Sequence, residues 1–361
     1  MKINLKHKIK TDIYTDYVFD NFDIQNRNES CVEIENNIVL NFEWNIGVIY
    51  GESGSGKTTL LKTFGEIEKP IFDNDKSLIS NFNWLTPKET TEILSAMGLS
   101  SVPCWLRPFN TLSNGEKSRA ILAYYVSKSK NENIILVDEF TSVVDRDVAK
   151  AISNSLQKYI RNEKKKIILA TCHFDIMEWL NPDWIYNPNK GRVERLECLR
   201  QSRPNIKLEI FRCRYETWKI FKNHHYLSDK LNVVSKCFIA IWNDKPVAFM
   251  ATIPSPSGYI KNAWRCSRIV TLPDYQGFGI GYKFVETIAE MYNEIDCPFY
   301  IKTSHLPFVK KFQKSNKWIV KKSDKREFNG NGYEHWKRRT NNCYTIKYNY
   351  KRLILNLIKV I

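Results

Sequence analysis

Residues 44–60, "WNIGVIYGESGSGKTTL", join an apolar run, a glycine-rich loop and the start of a helical pattern. Within this stretch, residues 51–58 fit the pattern G-x-x-x-x-G-K-[ST]. A short apolar run before such a loop is typical of a buried strand. The backbone N–H groups of the loop and the N-terminus of the next helix form a site for phosphate. The stretch therefore predicts a strand, a phosphate loop and a helix over residues 57–67, in that order.

The phosphate loop and two later acids together predict a nucleotide site. Lys57 is placed to bridge the β- and γ-phosphates, and the Thr58 hydroxyl is placed to bind Mg²⁺. "IILVDE" (134–139) ends a predicted strand with Asp138, expected to bind Mg²⁺, and Glu139, expected to activate the attacking water. The expected cofactors are ATP and Mg²⁺. The loop residues predicted to bind the nucleotide are Gly51, Ser53, Gly54, Ser55, Gly56, Lys57, Thr58 and Thr59.

Two further apolar runs predict a parallel sheet in the first half of the chain. Residues 133–138 and 165–173 are buried-strand candidates, and between them an apolar residue recurs every four positions over 148–160, as on one helix face. Strand, helix and strand in this order indicate a parallel sheet flanked by helices. The pattern then breaks into turn residues at 181–197, and we place a domain junction between about 195 and 208.

A third motif, "LSNGEKSRA" (112–120), resembles the L-S-G-G-E/Q signature of ABC-type ATPases. At the spacing of that family it is followed by "DEFTSVVD", whose Asp145 fits the D-loop, and by "TCH", whose His173 fits the switch histidine. With the phosphate loop and the acidic strand end, five motifs stand in the order of the family. The resemblance covers about residues 20–190.

This resemblance implies an ATP-dependent homodimer. In the family, a nucleotide is held between the phosphate loop of one subunit and the signature of another, so Ser113 and Gly115 are expected to meet the γ-phosphate across the interface. Glu139 and His173 are the catalytic residues that the resemblance assigns. Asn114 replaces the first signature glycine, and asparagine tolerates a left-handed backbone better than most residues.

Two departures argue against a membrane transporter. No glutamine lies between Lys57 and Gln157, so the usual Q-loop residue is missing, and the segment between the phosphate loop and the signature is short. No apolar run of eighteen residues is present, and the start of the chain lacks the pattern of a secretory signal. We therefore expect a cytoplasmic protein without a membrane partner.

The second half contains another glycine-rich loop, in "RIVTLPDYQGFGIG" (268–281). A predicted hairpin over 235–254 precedes it. A predicted helix over 282–295, a strand over 299–304, a Lys-rich helical segment over 307–315 and a late strand from 343 follow it. This order resembles GNAT-type N-acyltransferases, in which a strand leads into Q/R-x-x-G-x-G/A and then a helix.

The GNAT resemblance implies an α+β domain with a mixed central sheet that binds acetyl-CoA or another acyl-CoA. Glycines let the backbone approach the pyrophosphate, which the helix N-terminus faces. The expected domains are an ABC-type ATPase domain of α/β class (1–200), a GNAT-type domain (205–345) and a strand or helix tail (346–361). The residues expected to bind acyl-CoA are Val270, Leu272, Gln276, Gly277, Phe278, Gly279, Ile280 and Gly281.

A narrower resemblance covers about residues 210–340. "RCSRIVTLPDYQGFGIG" and "YIKTSHLPFVKKFQKSNKW" are similar to acyltransferases fused to an ABC ATPase and to the Mom-type phage enzymes that modify DNA adenine. This resemblance implies that the acyl acceptor is an amine on a nucleic-acid base.

The catalytic residues of the acyltransferase stay open at this point. Many GNAT enzymes place a tyrosine general acid in the helix after the fifth strand, but Phe312 stands there, and Lys317 and Trp318 follow in place of Gly-Phe. A phenyl ring cannot donate a proton. The family places the segment around His225 and Tyr226 over the acceptor, so these two are the preferred pair. The remaining candidates are Ser304, His305, Arg268 and His224.

The charge of the chain is concentrated in its second half. Residues 201–361 hold 29 Lys and Arg against 12 Asp and Glu, a net charge of +17, whereas residues 1–200 hold 26 against 27. A basic domain with aromatic residues among its cations, as in "HWKRRTNNCYTIKYNYKR" (335–352), favours a nucleic-acid partner. Two alternatives stay open: an ATP-regulated acetyltransferase of a protein or small-molecule amine, and a nucleotide-switched scaffold without transfer activity.

Overall fold

The computed structural model describes residues 2–22, 29–129, 133–196, 206–225, 230–255, 260, 262–322 and 343–349. The chain forms two compact units, each assembled from several segments. The first unit takes Met1–Pro70, Lys128–Val144 and Gln157–Arg203, and the second takes Ile71–Ser127, Asp145–Leu156 and Pro204–Ile361. The domain limits expected from the sequence stay a prediction, and most of the expected tail lies outside the described residues.

The strands and helices are labelled in chain order. The strands are β1 (Lys2–Lys8), β2 (Glu29–Glu35), β3 (Ile46–Tyr50), β4 (Ile134–Val137), β5 (Lys166–Thr171), β6 (Trp184–Asn187), β7 (Arg192–Arg195), β8 (Glu209–Cys213), β9 (Lys236–Trp242), β10 (Lys245–Pro254), β11 (Trp264–Thr271), β12 (Phe299–Thr303), β13 (Trp318–Lys322) and β14 (Tyr344–Tyr348). The α-helices are α1 (Ile13–Asn21), α2 (Lys57–Lys62), α3 (Pro87–Ala96), α4 (Val102–Trp105), α5 (Asn114–Lys128), α6 (Arg146–Asn162), α7 (Met177–Leu180), α8 (Trp218–Phe221), α9 (Ile280–Glu294) and α10 (Leu306–Gln313).

The first unit contains a five-stranded sheet with the order β4-β5-β3-β6-β7. Strands β4, β5, β3 and β6 are parallel, and β7 runs antiparallel to β6. Residues of the three central strands, such as Val48, Ile49 and Ile168, are fully buried, as expected for a parallel sheet covered on both faces. The predicted strands and the predicted helix over 148–160 are confirmed. Helix α2 ends at Lys62, five residues earlier than predicted for 57–67.

The stretch 181–197 is not only turns, as its composition predicted. It forms a β-hairpin of β6 and β7. Trp184 is fully buried and lies against Gly47, where an added Cβ would be 2.0 Å from its indole ring. The Asp183 carboxylate accepts hydrogen bonds from the N–H groups of Asn45 and Ile46, at 2.8 and 2.9 Å. The longest apolar run here is the three residues 184–186, so the local pattern was too short to indicate a strand.

A two-stranded antiparallel sheet of β1 and β2 completes the strands of the first unit. Helix α1 follows β1 and begins at a capping box, in which Asp12 accepts from the N–H groups of Tyr14 and Thr15. The sequence analysis did not predict these elements.

The second unit contains a seven-stranded sheet with the order β13-β14-β12-β11-β10-β9-β8. Strands β11 and β12 are parallel, and the other neighbours in the sheet are antiparallel. The predicted mixed sheet is confirmed. The predicted hairpin is β9 and β10, joined at Asn243 and Asp244, whose φ angles of 49° and 59° suit a two-residue type I′ turn.

The parallel pair determines where a cavity forms. Its register extends only over two pairs, Trp264 with Phe299 and Arg265 with Tyr300. Beyond these pairs, residues 266–271 of β11 and 301–303 of β12 line a cavity. Helix α9 packs on this sheet through fully buried Phe284, Val285 and Ile288, among other residues.

The segments 71–127 and 145–156 belong to the same compact unit as this sheet. Helix α3 starts at a capping box, in which Thr86 accepts from the Glu89 N–H and the Glu89 carboxylate accepts from the Thr86 N–H. Pro87 at the first helical position has a backbone already suited to the start of a helix.

Candidate functional site

The phosphate loop connects β3 to α2, as the sequence predicted. Gly54 and Gly56 have φ angles of 82° and 86°, in the left-handed region where a side chain is strained. The Lys57 ammonium donates to the carbonyl oxygens of Gly51 and Glu52, at 2.9 and 2.6 Å. The Ser55 hydroxyl oxygen is buried and has no hydrogen-bond partner among the described residues. A cation, a helix N-terminus and an unpaired hydroxyl on one loop fit a phosphate ligand.

The acids and the histidine of the predicted ATP site follow the neighbouring strands. Because β4, β5 and β3 are parallel and adjacent, their carboxyl ends meet at one edge of the sheet. Asp138 and Glu139 follow β4, and His173 follows β5, where its N–H donates to Thr171 Oγ1 at 3.1 Å. The Gly51 N–H donates to the Thr171 carbonyl at 3.3 Å, so the phosphate loop starts at the same edge.

Glu139 is held in an uncommon backbone conformation. Its φ of 51° is left-handed, and its N–H donates to Asp138 Oδ1 at 2.9 Å. Next to it, the Phe140 N–H donates to the Ala170 carbonyl at 2.8 Å, which joins this turn to β5. Strained residues of this kind concentrate at functional sites, and the side chain of Glu139 is exposed.

The signature residues form the N-terminal cap of helix α5. The Ser113 N–H donates to Glu116 Oε2 at 2.9 Å, and the Glu116 N–H donates to Ser113 Oγ at 3.3 Å, a reciprocal capping box. Gly115 lies against Val148 of α6, where an added Cβ would be 3.0 Å from a methyl group. Asn114 is the first residue of α5, so its tolerance of a left-handed backbone is not needed.

Asp145, the predicted D-loop residue, caps the next helix. Its Oδ1 accepts from the N–H groups of Asp147 and Val148, both at 3.1 Å. The cap fixes the start of α6.

The second glycine loop, residues 273–281, connects β11 to α9 through a 3-10 turn at Pro273–Tyr275. Gly277 and Gly279 have φ angles of 101° and 88°, and Gly279 is the N-cap of α9. Gly281 lies close to Thr271, whose Oγ1 would be 2.9 Å from an added Cβ. Backbone conformation or close packing therefore accounts for glycine at each of these three positions.

A cavity of about 360 Å³ lies between this loop, β11, β12 and α10. Most of the residues predicted to bind acyl-CoA line it. These are Val270, Gln276, Gly277, Gly279, Ile280 and Gly281. Leu272 and Phe278 pack against the core of the sheet instead, where the Phe278 ring contacts Trp242 edge to face at 5.0 Å.

His225 is a candidate acid–base residue whose surroundings favour a neutral ring. It lines the cavity with His224 and Arg268, and its ring contacts Trp218 at a centroid distance of 5.7 Å. Burial, with a smaller contribution from the charge of Arg268, lowers the pKa of His225 to about 4. Tyr226, its predicted companion, lies outside the described residues.

The two candidates after β12 differ in their placement. Ser304 is exposed and does not line the cavity. His305 lines it as the N-cap of α10, and its Nδ1 accepts from the Phe308 N–H at 3.3 Å. Its ring also stacks on Trp105 at 6.2 Å, and burial lowers its pKa. Phe312, at the position of the usual tyrosine, is fully buried in the core of the sheet.

Several residues of the cavity were missed by sequence reasoning. Ser95, Ser100, Ser101 and Val102 come from the segment between the phosphate loop and the signature, and no motif marks them. Lys311 of α10 also lines the cavity, with its Nζ 4.6 Å from the centre of the Tyr282 ring and 3.0 Å from the position of a Cβ on Gly279. The lysine-rich composition of 307–315 was the only signal for it.

Comparison with known proteins returns one family match and several solved structures of low similarity. Residues 203–306 match the model of the acetyltransferase (GNAT) family. A dimeric post-hydrolysis structure of the ATP-binding cassette MJ0796 bound to ADP and Pi is 18% identical, with a TM-score of 0.39, over 46% of this chain and 93% of that chain. The cbiO1 protein of Clostridium perfringens, part of the ABC transporter complex cbiONQ, is 20% identical, with a TM-score of 0.36, over 45% of this chain and 80% of that chain. No curated protein matches the sequence.

The family match and the motifs concern different parts of the chain. Residues 203–306, which match the acetyltransferase (GNAT) family, include five strands of the seven-stranded sheet, among them the parallel pair β11 and β12. The phosphate loop, the acids after β4 and the capped signature segment stand in an order that resembles ABC-type ATPases. Within the described ranges, no helix has the length and apolarity that a membrane span requires.

Proposed function

We propose that the protein is an acyl-CoA-dependent N-acyltransferase whose activity is controlled by ATP at an ABC-type cassette. The observation that carries this proposal is the cavity between β11 and β12, which both the second glycine loop and His225 line. A phosphate-binding loop and a candidate base in one cavity are the two parts that acyl transfer from a thioester needs.

The second glycine loop is suited to the pyrophosphate of acyl-CoA. Gly277 and Gly279 adopt left-handed backbone just before α9, a helix of 15 residues whose N-terminus attracts anions. Lys311 adds a positive charge beside Gly279. Burial and the nearby charge of Lys283 lower the pKa of Lys311, and a bound phosphate would favour its charged form.

His225 is the residue that we assign to proton transfer. A neutral imidazole can accept a proton, and burial keeps His225 neutral near pH 7. In the proposed step, the amine nitrogen forms a bond to the thioester carbonyl carbon and the carbon–sulfur bond breaks. The proton leaves the nitrogen for His225, and His225 then gives it to the departing thiolate of coenzyme A.

The ATP site would use the residues at the edge of the parallel sheet. We assign Lys57 to the β- and γ-phosphates, Thr58 and Asp138 to Mg²⁺, and Glu139 to activation of water. When bound, Mg²⁺ supplies charge neutralisation for the phosphates. In an ATP-dependent dimer, the signature of a second copy would complete the site with Ser113 and Gly115.

We further propose that the acyl acceptor is an amine on a nucleic acid. The support is the net charge of +17 confined to residues 201–361, which favours a polyanionic partner over a small amine. Aromatic side chains among these cations can stack on exposed bases.

Mass spectrometry of nucleosides and of proteins, after incubation with ATP, Mg²⁺ and acetyl-CoA, tests this proposal. An acetyl mass shift on a nucleoside, absent with His225→Ala, is the expected result. A shift on protein alone would assign the acceptor to a protein amine. No shift on any acceptor, with acetyl-CoA bound, would favour a nucleotide-switched scaffold and contradict the proposal.

A further inference from the structure

The second glycine loop is held by residues that precede the signature, lie within it or follow it in sequence, and all of them belong to the same compact unit. Three hydrogen bonds join them, each from a different element to a different residue of the loop. They are Ser100 N–H to Gln276 Oε1 at 2.8 Å, Asn154 Nδ2 to the Gly277 carbonyl at 3.2 Å, and Arg119 Nη2 to the Asp274 carbonyl at 3.4 Å.

The contact between this loop and helix α6 leaves no space for a side chain. A Cβ on Gly277 would be 2.0 Å from Ser155 Oγ and 3.2 Å from the carbonyl oxygen of Ala151. On the other side, a Cβ on Gly98 would be 3.2 Å from the carbonyl oxygen of Gln276. Because the surfaces meet at backbone atoms, a displacement of α6 must also displace the loop.

Arg119 lies at the centre of this contact and is fully buried. Burial lowers the pKa of Arg119 to about 10, and the charges of Asp274, Glu116 and Asp145 oppose that effect. Glu116 belongs to the signature, Asp145 caps α6, and Asp274 belongs to the second glycine loop. The Arg119 guanidinium is therefore attracted electrostatically to the signature, the D-loop and the second glycine loop, and its described hydrogen bond goes from Nη2 to the Asp274 carbonyl at 3.4 Å.

The same segment also forms one wall of the cavity. Ser95, Ser100 and Ser101 line it, facing β11, β12 and the loop across the space assigned to acyl-CoA. A ligand in this cavity would therefore touch residues from both parts of the sequence. A change in the position of the wall changes the contacts that the ligand makes, which is the condition for a change in affinity.

We propose that ATP binding and acyl-CoA binding are thermodynamically linked through Arg119 and the first half of helix α6. This inference rests on the proposed function, because it presupposes both ligands. Helix α5 begins at the signature, whose Ser113 and Gly115 are assigned to nucleotide contact in the dimer, and helix α6 begins after Asp145 of the predicted D-loop. The following turns of α5 and α6 contact the second glycine loop through Arg119 and Asn154. A shift of these helices on ATP binding would therefore move the loop assigned to acyl-CoA directly.

The test is calorimetry of acetyl-CoA with and without saturating ATP and Mg²⁺, in the full-length Glu139→Gln variant so that ATP persists. We expect the Kd for acetyl-CoA to change by about 5-fold or more, and the Kd for ATP to change by the same factor when acetyl-CoA is present, because linkage is reciprocal. Asn154→Ala removes one hydrogen bond to the loop. In this variant, the factor by which each ligand changes the Kd of the other should be closer to one.

A matched control variant removes a contact between segments of the same unit that does not involve the second glycine loop. Lys310→Ala removes the exposed ion pair with Glu92, which joins α10 to α3 at 2.8 Å without touching the loop, and should leave the factors unchanged. Arg119→Met tests the shared cation, and Asn154→Ala remains informative if Arg119→Met does not fold.

Three outcomes overturn the inference. If acetyl-CoA binds equally well with and without ATP, the linkage is absent while the proposed function stands. If Asn154→Ala and a folded Arg119→Met keep the full factors, the linkage does not pass through these residues. If acetyl-CoA does not bind at all, the acyltransferase proposal fails together with the inference.

Discussion

The backbone N–H of Ser100 donates a hydrogen bond to Oε1 of Gln276, 2.8 Å away and 176 positions later in the chain. The Gln276 amide Nε2 donates to the Thr271 carbonyl of β11 at 3.0 Å. This single side chain thus connects the end of β11 with the segment that precedes the signature. Gln276 was predicted as an acyl-CoA contact, and the structure shows that its side chain also has a structural role.

Glu139→Gln should bind ATP, hydrolyse it very slowly and accumulate as an ATP-dependent dimer. The amide cannot accept the proton of the attacking water, whereas the residues assigned to the phosphates and Mg²⁺ are unchanged. Since ATP binds the dimer in the proposed sandwich, mass action favours association. Gel filtration with and without ATP measures this. An identical oligomer in both conditions would contradict the sandwich.

Gly279→Val should remove acetyl-CoA binding and leave ATP hydrolysis in place. Gly279 has a φ of 88°, which a β-branched residue adopts only with strain, and its Cβ would be 3.0 Å from Lys311 Nζ. The added methyl groups also occupy the space needed for backbone approach to the pyrophosphate. Calorimetry with acetyl-CoA and a phosphate-release assay test the two halves of this prediction.

Lys57→Ala is the reciprocal control for that variant. It should abolish ATP binding, because the cation assigned to the phosphates is lost, and leave a measurable affinity for acetyl-CoA. If Gly279→Val binds acetyl-CoA as the unchanged protein does, the glycines serve only the turn and the acyl-CoA assignment is wrong.

His225 should remain neutral from pH 8 down to about pH 5. Its pKa in the folded protein, about 4, lies below the usual 6.5, so the unfolded chain binds the proton more readily between these values. The contribution of this residue to stability is therefore complete above pH 6.5 and falls as the pH decreases toward 4. NMR titration of the histidine ring protons measures the pKa, with His225→Gln used to assign the resonance.

Arg268→Gln tests how much the charge of Arg268 contributes to the lowered pKa of His225. Removal of a positive charge near the ring should raise the pKa of His225, although burial, the larger cause, remains. A midpoint near 6.5 in the unchanged protein would show that His225 is solvated and would remove the basis for its assignment as a buried base.

Phe312→Tyr should destabilise the protein by about 1–3 kcal/mol, the cost of a buried hydroxyl without a partner. Phe312 is fully buried between Phe308, Trp318 and Tyr282, with ring centroids at 4.6, 4.6 and 5.0 Å. The new hydroxyl should not raise the rate of acyl transfer, because this ring does not line the cavity. Thermal unfolding and a transfer assay measure the two effects, and a faster variant would show that this position can still supply the acid.

The local parts of this protein could be predicted from its amino-acid sequence. The strand, phosphate loop and helix of residues 46–62, the hairpin of β9 and β10 and the loop before α9 follow from short-range rules. Glycines adopt left-handed backbone, apolar runs form buried strands, and two-residue turns join antiparallel strands. Where the local signal was short, as at β6 and β7, the prediction was wrong.

Contacts between residues that are distant in sequence could not be predicted in the same way. Burial could be expected for residues such as Arg119 and Ser155 only if their neighbours were known, and those neighbours belong to a loop more than a hundred positions later. Ser95, Ser100 and Ser101 line the cavity but belong to no recognisable motif. Their position in the folded chain places them there, and this position does not require a particular local sequence pattern. The composition of the cavity therefore depends on packing between segments far apart in the chain, which no local rule encodes.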